Sequence, residues 1–352
     1  MEGSRERVRS VMAGDKPDRA PLFDLLPNDA VLAHFNASRP VAVGDDRGGA
    51  RAIAAALDGS REAQLSPAEA RMERLEDGRA VRVERWTAWR ERVDYGPSEE
   101  YRKAKEQELA RWRTWAGEPA EMGRSHWYLR QRETRLWFGE DFYYLMSSPS
   151  PSLMGVWEEV GLEAFSYYLH DCEEVIVEQL ERRTEQACRW IEGLPEEDPF
   201  EAAFIGEDIA FKNGPMMRVE WLEREYFPRL ARVVAALHKR GKKVVFHSDG
   251  NLNSIMDGLV AAGIDALNPI EVTAGMDLAD LHRRYPGLVF AGGIDVTHLL
   301  PFGTPRQVRD TVVKAIEDTE GQILVGSSTE VHHLVPLENF LAMREAAIRY
   351  RF

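Results

Sequence analysis

The chain has 352 residues, with 45 Lys+Arg against 59 Asp+Glu and a formal net charge of −14. That acidic balance excludes a general nucleic-acid binder, which needs a basic surface against phosphate. Two cysteines exclude a disulfide scaffold. At about 150 residues per domain the length suggests two domains, yet single (β/α)8 barrels reach this size.

MEGSRERVRSVMAG reads as a polar helix without the apolar centre of a secretory leader. No apolar run approaches the roughly 20 residues of a membrane span, so a cytoplasmic protein without membrane association is expected. APLFDLL (20–26) suits a buried strand, and the Ala-rich stretch 29–62 reads as helical. Asp77-Gly78 between alternating segments signals a hairpin. The charged stretch that follows carries many aromatics, and it reads as helices and loops of an insertion spanning approximately 75–140. Its tryptophans 86, 89, 112, 115, 127 and 137 either line an aromatic pocket or pack the insertion against the core.

From residue 141 the rhythm becomes regular. Strands are expected at 142–148, 202–210, 243–249, 265–271, 288–295 and 322–328. Helical stretches lie between them, the longest over 155–194. Cys172 and Cys188 fall on that long stretch, on nearly opposite faces, so they neither bridge nor share a metal. Alternating strands and helices mean βα units and a parallel sheet. About seven strands are counted, or eight if part of the hairpin closes the ring. The expected fold is a TIM-type (β/α)8 barrel with an inserted hairpin and helical region in the N-terminal third, forming one domain over 1–352. A doubly wound sheet is the competitor, but no Gly-rich phosphate loop follows the first strand.

In such a barrel the chemistry sits at the C-terminal strand ends. The polar residues there are Asp24, Glu207, Asp208, His247, Asp249, Asn268, Glu271, Asp295, Glu330 and His332. His247-Ser248-Asp249-Gly250-Asn251 is the sharpest cluster. On an extended chain residues i and i+2 point the same way, so His247 and Asp249 project together. They suit a metal-ligand pair or an acid/base pair in which Asp249 orients His247. Glu207 and Asp208 are adjacent, so only one faces inward. Gly292 and Gly293 before Asp295 permit close approach of a ligand or another backbone. Asp249 and Asp295 are also potential helix caps.

Several segments together resemble the uroporphyrinogen decarboxylase (URO-D) superfamily. They are GEDIAFKNGPMM (206–217), the stretch ending in KKVVFHSDGN (242–251), AAGIDALNPIE (261–271), GGID with the later LPFGTP (292–305), and GSSTEVHHLVPLENFLAM (326–343). RVRSVMAGDKPDRAPLFDLL also looks like the start of these proteins. The resemblance implies a TIM barrel and one of two activities. Some members decarboxylate a tetrapyrrole without a cofactor. Others move methyl groups between a corrinoid protein and an acceptor, often with zinc held by His-x-Cys and a later Cys. Where the decarboxylases carry an Arg-Gln-Ala-Gly-Arg-type segment, this chain reads PLFDLLPNDAVL. Where the zinc methyltransferases carry His-x-Cys, it has His247-x-Asp249, and the later Cys falls near Ser327–Thr329.

The resemblance thus favours a methyltransferase-like enzyme that moves a methyl group between a small or aromatic substrate and a corrinoid protein or other acceptor. His247 and Asp249 would hold a divalent metal, zinc first among the choices, with Glu330 as a third ligand. His247, Asp249, Glu207 and Asp208 are the expected catalytic residues. Asp24, Asn268, Glu271, Asp295 and His332 are expected around the substrate. A corrinoid protein is the expected partner and a homodimer the expected assembly. The alternatives are a cofactor-independent decarboxylase acting on another acid and a non-catalytic small-molecule-binding barrel.

Overall fold

The computed structural model describes residues 2–61, 63–114 and 125–352. Seven parallel strands form one curled sheet, in the order Gly59–Arg61, Tyr143–Ser147, Ala202–Gly206, Lys243–His247, Ala266–Asn268, Val289–Ile294 and Ile323–Ser327. Leu22 and Phe23 join its two edges, bridging Val325 and Gly59 in parallel. The Phe23 amide donates to the Val325 carbonyl at 2.9 Å and the Gly59 amide to Leu22 at 3.1 Å. Eight parallel segments therefore close a TIM-type ring and leave no open sheet edge. Strands such as KVVFH and ILVGS are almost wholly buried, as a parallel sheet covered on both faces requires.

Closure of the ring corrects the expected role of the hairpin. The chain around Gly78 belongs to a separate three-stranded antiparallel sheet, Arg71–Arg74, Ala80–Val83 and Ala88–Arg90. The barrel strand that the sequence concealed is Gly59–Arg61, inside the stretch expected to be helical. Helices Asp29–Phe35 and Asp46–Ala56 occupy most of that stretch. A three-residue strand is too short to display a period.

The long 155–194 stretch is also divided, into helices Leu153–Val160, Leu162–Asp171 and Glu173–Glu192. Gly161, with φ of +84°, makes the first break. Cys172 stands at the second, as N-cap of the third helix, so the two cysteines do not share a helix interior. Both thiols are free. No described helix is long and apolar enough to cross a membrane.

Helix Ser4–Met12 closes the N-terminal end of the barrel. Its Val8, Val11 and Met12 pack with the interior residues Phe23, Tyr143, Leu145, Phe204, Val245 and Leu324. Ion pairs surround this plug. Asp58, fully buried, accepts from Arg7 at 2.9 Å, Arg19 at 2.8 Å, Ser4 Oγ at 2.7 Å and the Leu22 amide at 2.9 Å. Glu201 pairs with Arg5 and Arg9. Asp265 accepts from Lys243 at 2.8 Å and meets His238 at 2.8 Å. Each of these acids stands just before a strand.

Between strands Gly59–Arg61 and Tyr143–Ser147 lie the antiparallel sheet and helices Ser98–Thr114 and His126–Phe138. The sheet is tied to helices that follow the first and third strands. Arg85 donates to Asp29 at 2.6 and 2.7 Å, and the Val93 amide to the Glu159 carbonyl at 2.7 Å. Trp86, Trp112, Trp127 and Trp137 pack half-buried against the core, Trp89 is exposed, and Trp115 lies outside the described residues.

Candidate active site

His247 ends its strand with Gly206 and Asn268 as register partners on either side. Parallel pairing therefore sets the loop after Gly206 and the side chain of Asn268 beside the imidazole. Asp208, His247 and Asp249 each bring a ligand atom into one group, all within 4.8 Å of one another. Asp208 Oδ1 lies 3.8 Å from His247 Nε2 and accepts the Asp249 amide at 3.0 Å. Gly250 then turns the chain with φ of +94°. A Cβ there would stand 2.7 Å from the Ala210 carbonyl, so only glycine fits.

The second imidazole nitrogen fixes how His247 is used. Nδ1 lies 2.8 Å from Asn268 Oδ1, and Asn268 Nδ2 donates to the Ala291 carbonyl at 3.3 Å. The amide oxygen thus faces the ring, Nδ1 carries the proton as donor, and the Nε2 lone pair is directed at the two aspartates. The orienting group is Asn268, where the sequence pointed to Asp249. Asp249 instead accepts from Thr329 Oγ1 at 3.3 Å. Burial, reinforced by the nearby Arg61 charge, lowers the His247 pKa to about 4. Burial, with Asp208 and Glu271 close by, raises Asp249 to about 7.

Arg61 is a charged residue at the barrel mouth that the sequence reading missed. It ends the concealed strand, its guanidinium lies 4.4 Å over the Phe204 ring, and that ring is 5.3 Å from the His247 ring. It stands within electrostatic reach of Glu330, Asp208, Asp249 and Asp24. One signal was available. A chain leaving helix Asp46–Ala56 in a βα barrel must return to the sheet, so residues shortly after it belong to a strand.

The other expected residues divide between the mouth and its scaffolding. Asp24 is buried and accepts from the Ser327 amide at 2.6 Å, Ser327 Oγ at 2.9 Å and the Leu25 amide at 2.8 Å. Burial nevertheless raises it to about 7, with Glu330 adding to the effect. Glu330 is raised by burial and faces Arg61 and His332, apart from the Asp208–His247–Asp249 group. Glu207 and Asp208 follow the strand end at Gly206 and take separate partners. The buried Glu207 carboxylate accepts the Ser152 amide at 2.6 Å and the Met154 amide at 2.8 Å, at the start of helix Leu153–Val160. Glu271 accepts the Gly250 amide at 2.7 Å. Asp295 accepts the amides of Thr297, His298 and Leu299. His332 lies between the Val296 carbonyl and the Leu334 amide. At Gly292 the close approach is made by backbone, since a Cβ would stand 2.6 Å from the Ser327 carbonyl.

The donor set fits a divalent cation. It offers one imidazole lone pair, fixed by a hydrogen bond from the opposite nitrogen, and two carboxylates whose mutual repulsion a cation would relieve. Two oxygen donors and one nitrogen suit zinc and also harder ions.

Residues 213–350 match the family described as uroporphyrinogen decarboxylase (URO-D), a span that includes His247, Asp249, Asn268 and Glu330. No curated protein matches the sequence. Among solved structures, a methyltransferase from Methanosarcina mazei aligns over 99% of this chain and 99% of its own, with a TM-score of 0.68 and 15% identity. That likeness establishes a shared fold. A B12-independent methionine synthase from Shewanella sp. W3-18-1 aligns over 93% of this chain and 97% of its own, at 12% identity and a TM-score of 0.47.

Proposed function

Residues 213–350 being a URO-D family region, we propose that the chain is a methyltransferase of this superfamily that moves a methyl group from a small aromatic methyl ether to a corrinoid protein. The observation that carries this reading is the Asp208–His247–Asp249 group at the strand ends, with Asn268 fixing the imidazole. His247 Nε2 and the two carboxylates would hold a divalent cation, zinc first. In the transfer the bond between methyl carbon and ether oxygen breaks, the carbon joins the acceptor, and the electron pair stays on the oxygen. A cation held there supplies Lewis-acid stabilisation of that oxygen. His247 keeps its proton on Nδ1, so Nε2 stays available as a donor of electron density. Asp208 and Asp249 would balance the charge of a cation held there. Phe204 sets its ring 5.3 Å from that of His247.

The test pairs metal analysis of protein purified without added metal with a methyl-transfer assay on methoxybenzenes. Stoichiometric metal that disappears in His247→Ala, and a change in the absorbance of cob(I)alamin on methylation, are expected. Metal-free wild-type protein would remove the cation from the reading. No spectral change with any methoxybenzene would remove the methyl transfer.

Arg61 favours a second reading, a cofactor-independent decarboxylase. A guanidinium among strand-end groups is suited to a substrate carboxylate. Carbon dioxide release by chelator-treated protein, without corrinoid, separates the two.

A further inference from the structure

The three residues of the Asp208–His247–Asp249 group are not held alike. His247 belongs to a strand, is set by its register and has its ring fixed by Asn268. Asp208 stands two residues beyond the end of its strand. The ladder stops one residue earlier, where the Glu207 amide donates to the His247 carbonyl at 2.9 Å. Both backbone groups of Asp208 go instead to helix Leu153–Val160. Its amide meets Met154 Sδ at 3.5 Å, and its carbonyl accepts the Trp157 indole N–H at 3.0 Å.

Glu207 ties the start of the same helix. Its carboxylate is fully buried and gives one oxygen to the Ser152 amide and the other to the Met154 amide. Those amides have no partner within the helix and lie at its positive end, where a carboxylate is well placed. Ser152 is held there at φ of +59°, a left-handed conformation that costs energy in a residue with a Cβ. The far end of the helix is fixed by the insertion. The Glu159 carboxylate accepts from Lys105 at 2.7 Å and from Tyr95 Oη at 2.8 Å, and its carbonyl accepts the Val93 amide at 2.7 Å. Trp157 thus reaches Asp208 from the middle of a short helix that is fixed at both ends.

We propose that helix Leu153–Val160 sets the place of Asp208 in the cation site, with Trp157 and Glu207 as positioning residues. This deepens the metal half of the reading above and rests on it. Neither side chain belongs to the ligand group, and both act through the backbone around Asp208. Ligands must be held within about 0.5 Å of their working geometry. Contacts that orient them from outside are worth about 10–100-fold in metal affinity. The insertion then has a function, since it braces one ligand from outside the barrel.

Titration of the chelator-stripped, full-length protein with Co2+, followed by visible absorption and by competition with a chelator, tests this. Trp157→Phe keeps a ring and removes the N–H. It is expected to weaken Co2+ binding about tenfold and to change the absorption of the bound ion, as a displaced ligand does. Glu207→Gln keeps the volume but turns an NH2 group toward one of the two amides, and a loss at least as large is expected. Should Glu207→Gln not fold, Trp157→Phe decides alone. Trp137→Phe alters another half-buried indole, on helix His126–Phe138, and should leave Co2+ affinity within about twofold. Trp157→Phe with wild-type Co2+ affinity and spectrum would overturn the positioning role, whatever its melting temperature, and leave the cation site standing. Equal losses in Trp157→Phe and Trp137→Phe would overturn it too. Wild-type protein that takes up no Co2+ would overturn the cation site and the positioning role with it.

Discussion

The two ends of the barrel treat acidic residues in opposite ways. At the N-terminal end each acid before a strand is matched by cations. Asp58 takes two arginines, Glu201 two more, and Asp265 a lysine and a histidine. Arg7 holds Asp18 below the usual carboxylate range, and Lys243 and His238 do the same for Asp265 against its burial. At the C-terminal end, burial pushes Asp24 and Asp249 up to about 7 and raises Glu207 and Glu330. Arg61 is the cation that Asp249 and Glu330 share there among the described residues. One end spends its charges on stability. The other holds acids poorly neutralised, a state that persists in a fold when function requires it.

The comparison predicts which end is costly to alter. Asp58→Ala removes the acceptor shared by buried Arg7 and half-buried Arg19, leaving Arg7 its pair with Asp18, and should destabilise by about 3–5 kcal/mol, read from urea unfolding. A loss below about 1 kcal/mol would mean that the N-terminal ion pairs do not hold the barrel shut. His247→Ala should do the reverse, abolishing metal binding and lowering activity by at least about 100-fold while the unfolding midpoint hardly moves. Asn268→Ala leaves the ligands in place but frees the imidazole. Metal affinity should fall about 10–100-fold, measured by competition with a chelator; unchanged affinity would break the link between Asn268 and the site.

The smallest effect is a slope. Asp24 is raised, so between the ordinary carboxylate range and pH 7 the folded chain holds a proton that the unfolded chain releases. Its contribution to stability therefore falls as pH rises through that window. Asp24→Asn should flatten this part of the stability profile. Asp18 and Asp265 are lowered, so their contribution is present at neutral pH and is lost as pH drops below the ordinary carboxylate range. A profile unchanged by Asp24→Asn would erase the contrast at the mouth.

Much of the site was legible because strands obey a period of two. His247 and Asp249 come together, and Glu207 and Asp208 take separate partners, although only His247 lies within a strand and the other three follow the strand ends. The caps were harder to separate from ligands. Asp295 lies at a strand end like Asp249, and nothing local distinguishes them. Its three backbone donors come from the loop Thr297–Leu299, a turn that only folding reveals.

The amino-acid order by itself determined the barrel, since alternating apolar strands and amphipathic helices have few other ways to bury their faces. It also determined which residues stand at strand ends. The tertiary structure alone decided their company. Asp208 and Asn268 reach His247 because neighbouring parallel strands place Gly206 and Asn268 in register with it, and register is a relation between segments distant in sequence. Arg61 enters the mouth because a three-residue strand closes the ring beside Phe23, a contact too short for any local pattern and fixed by the geometry of closure.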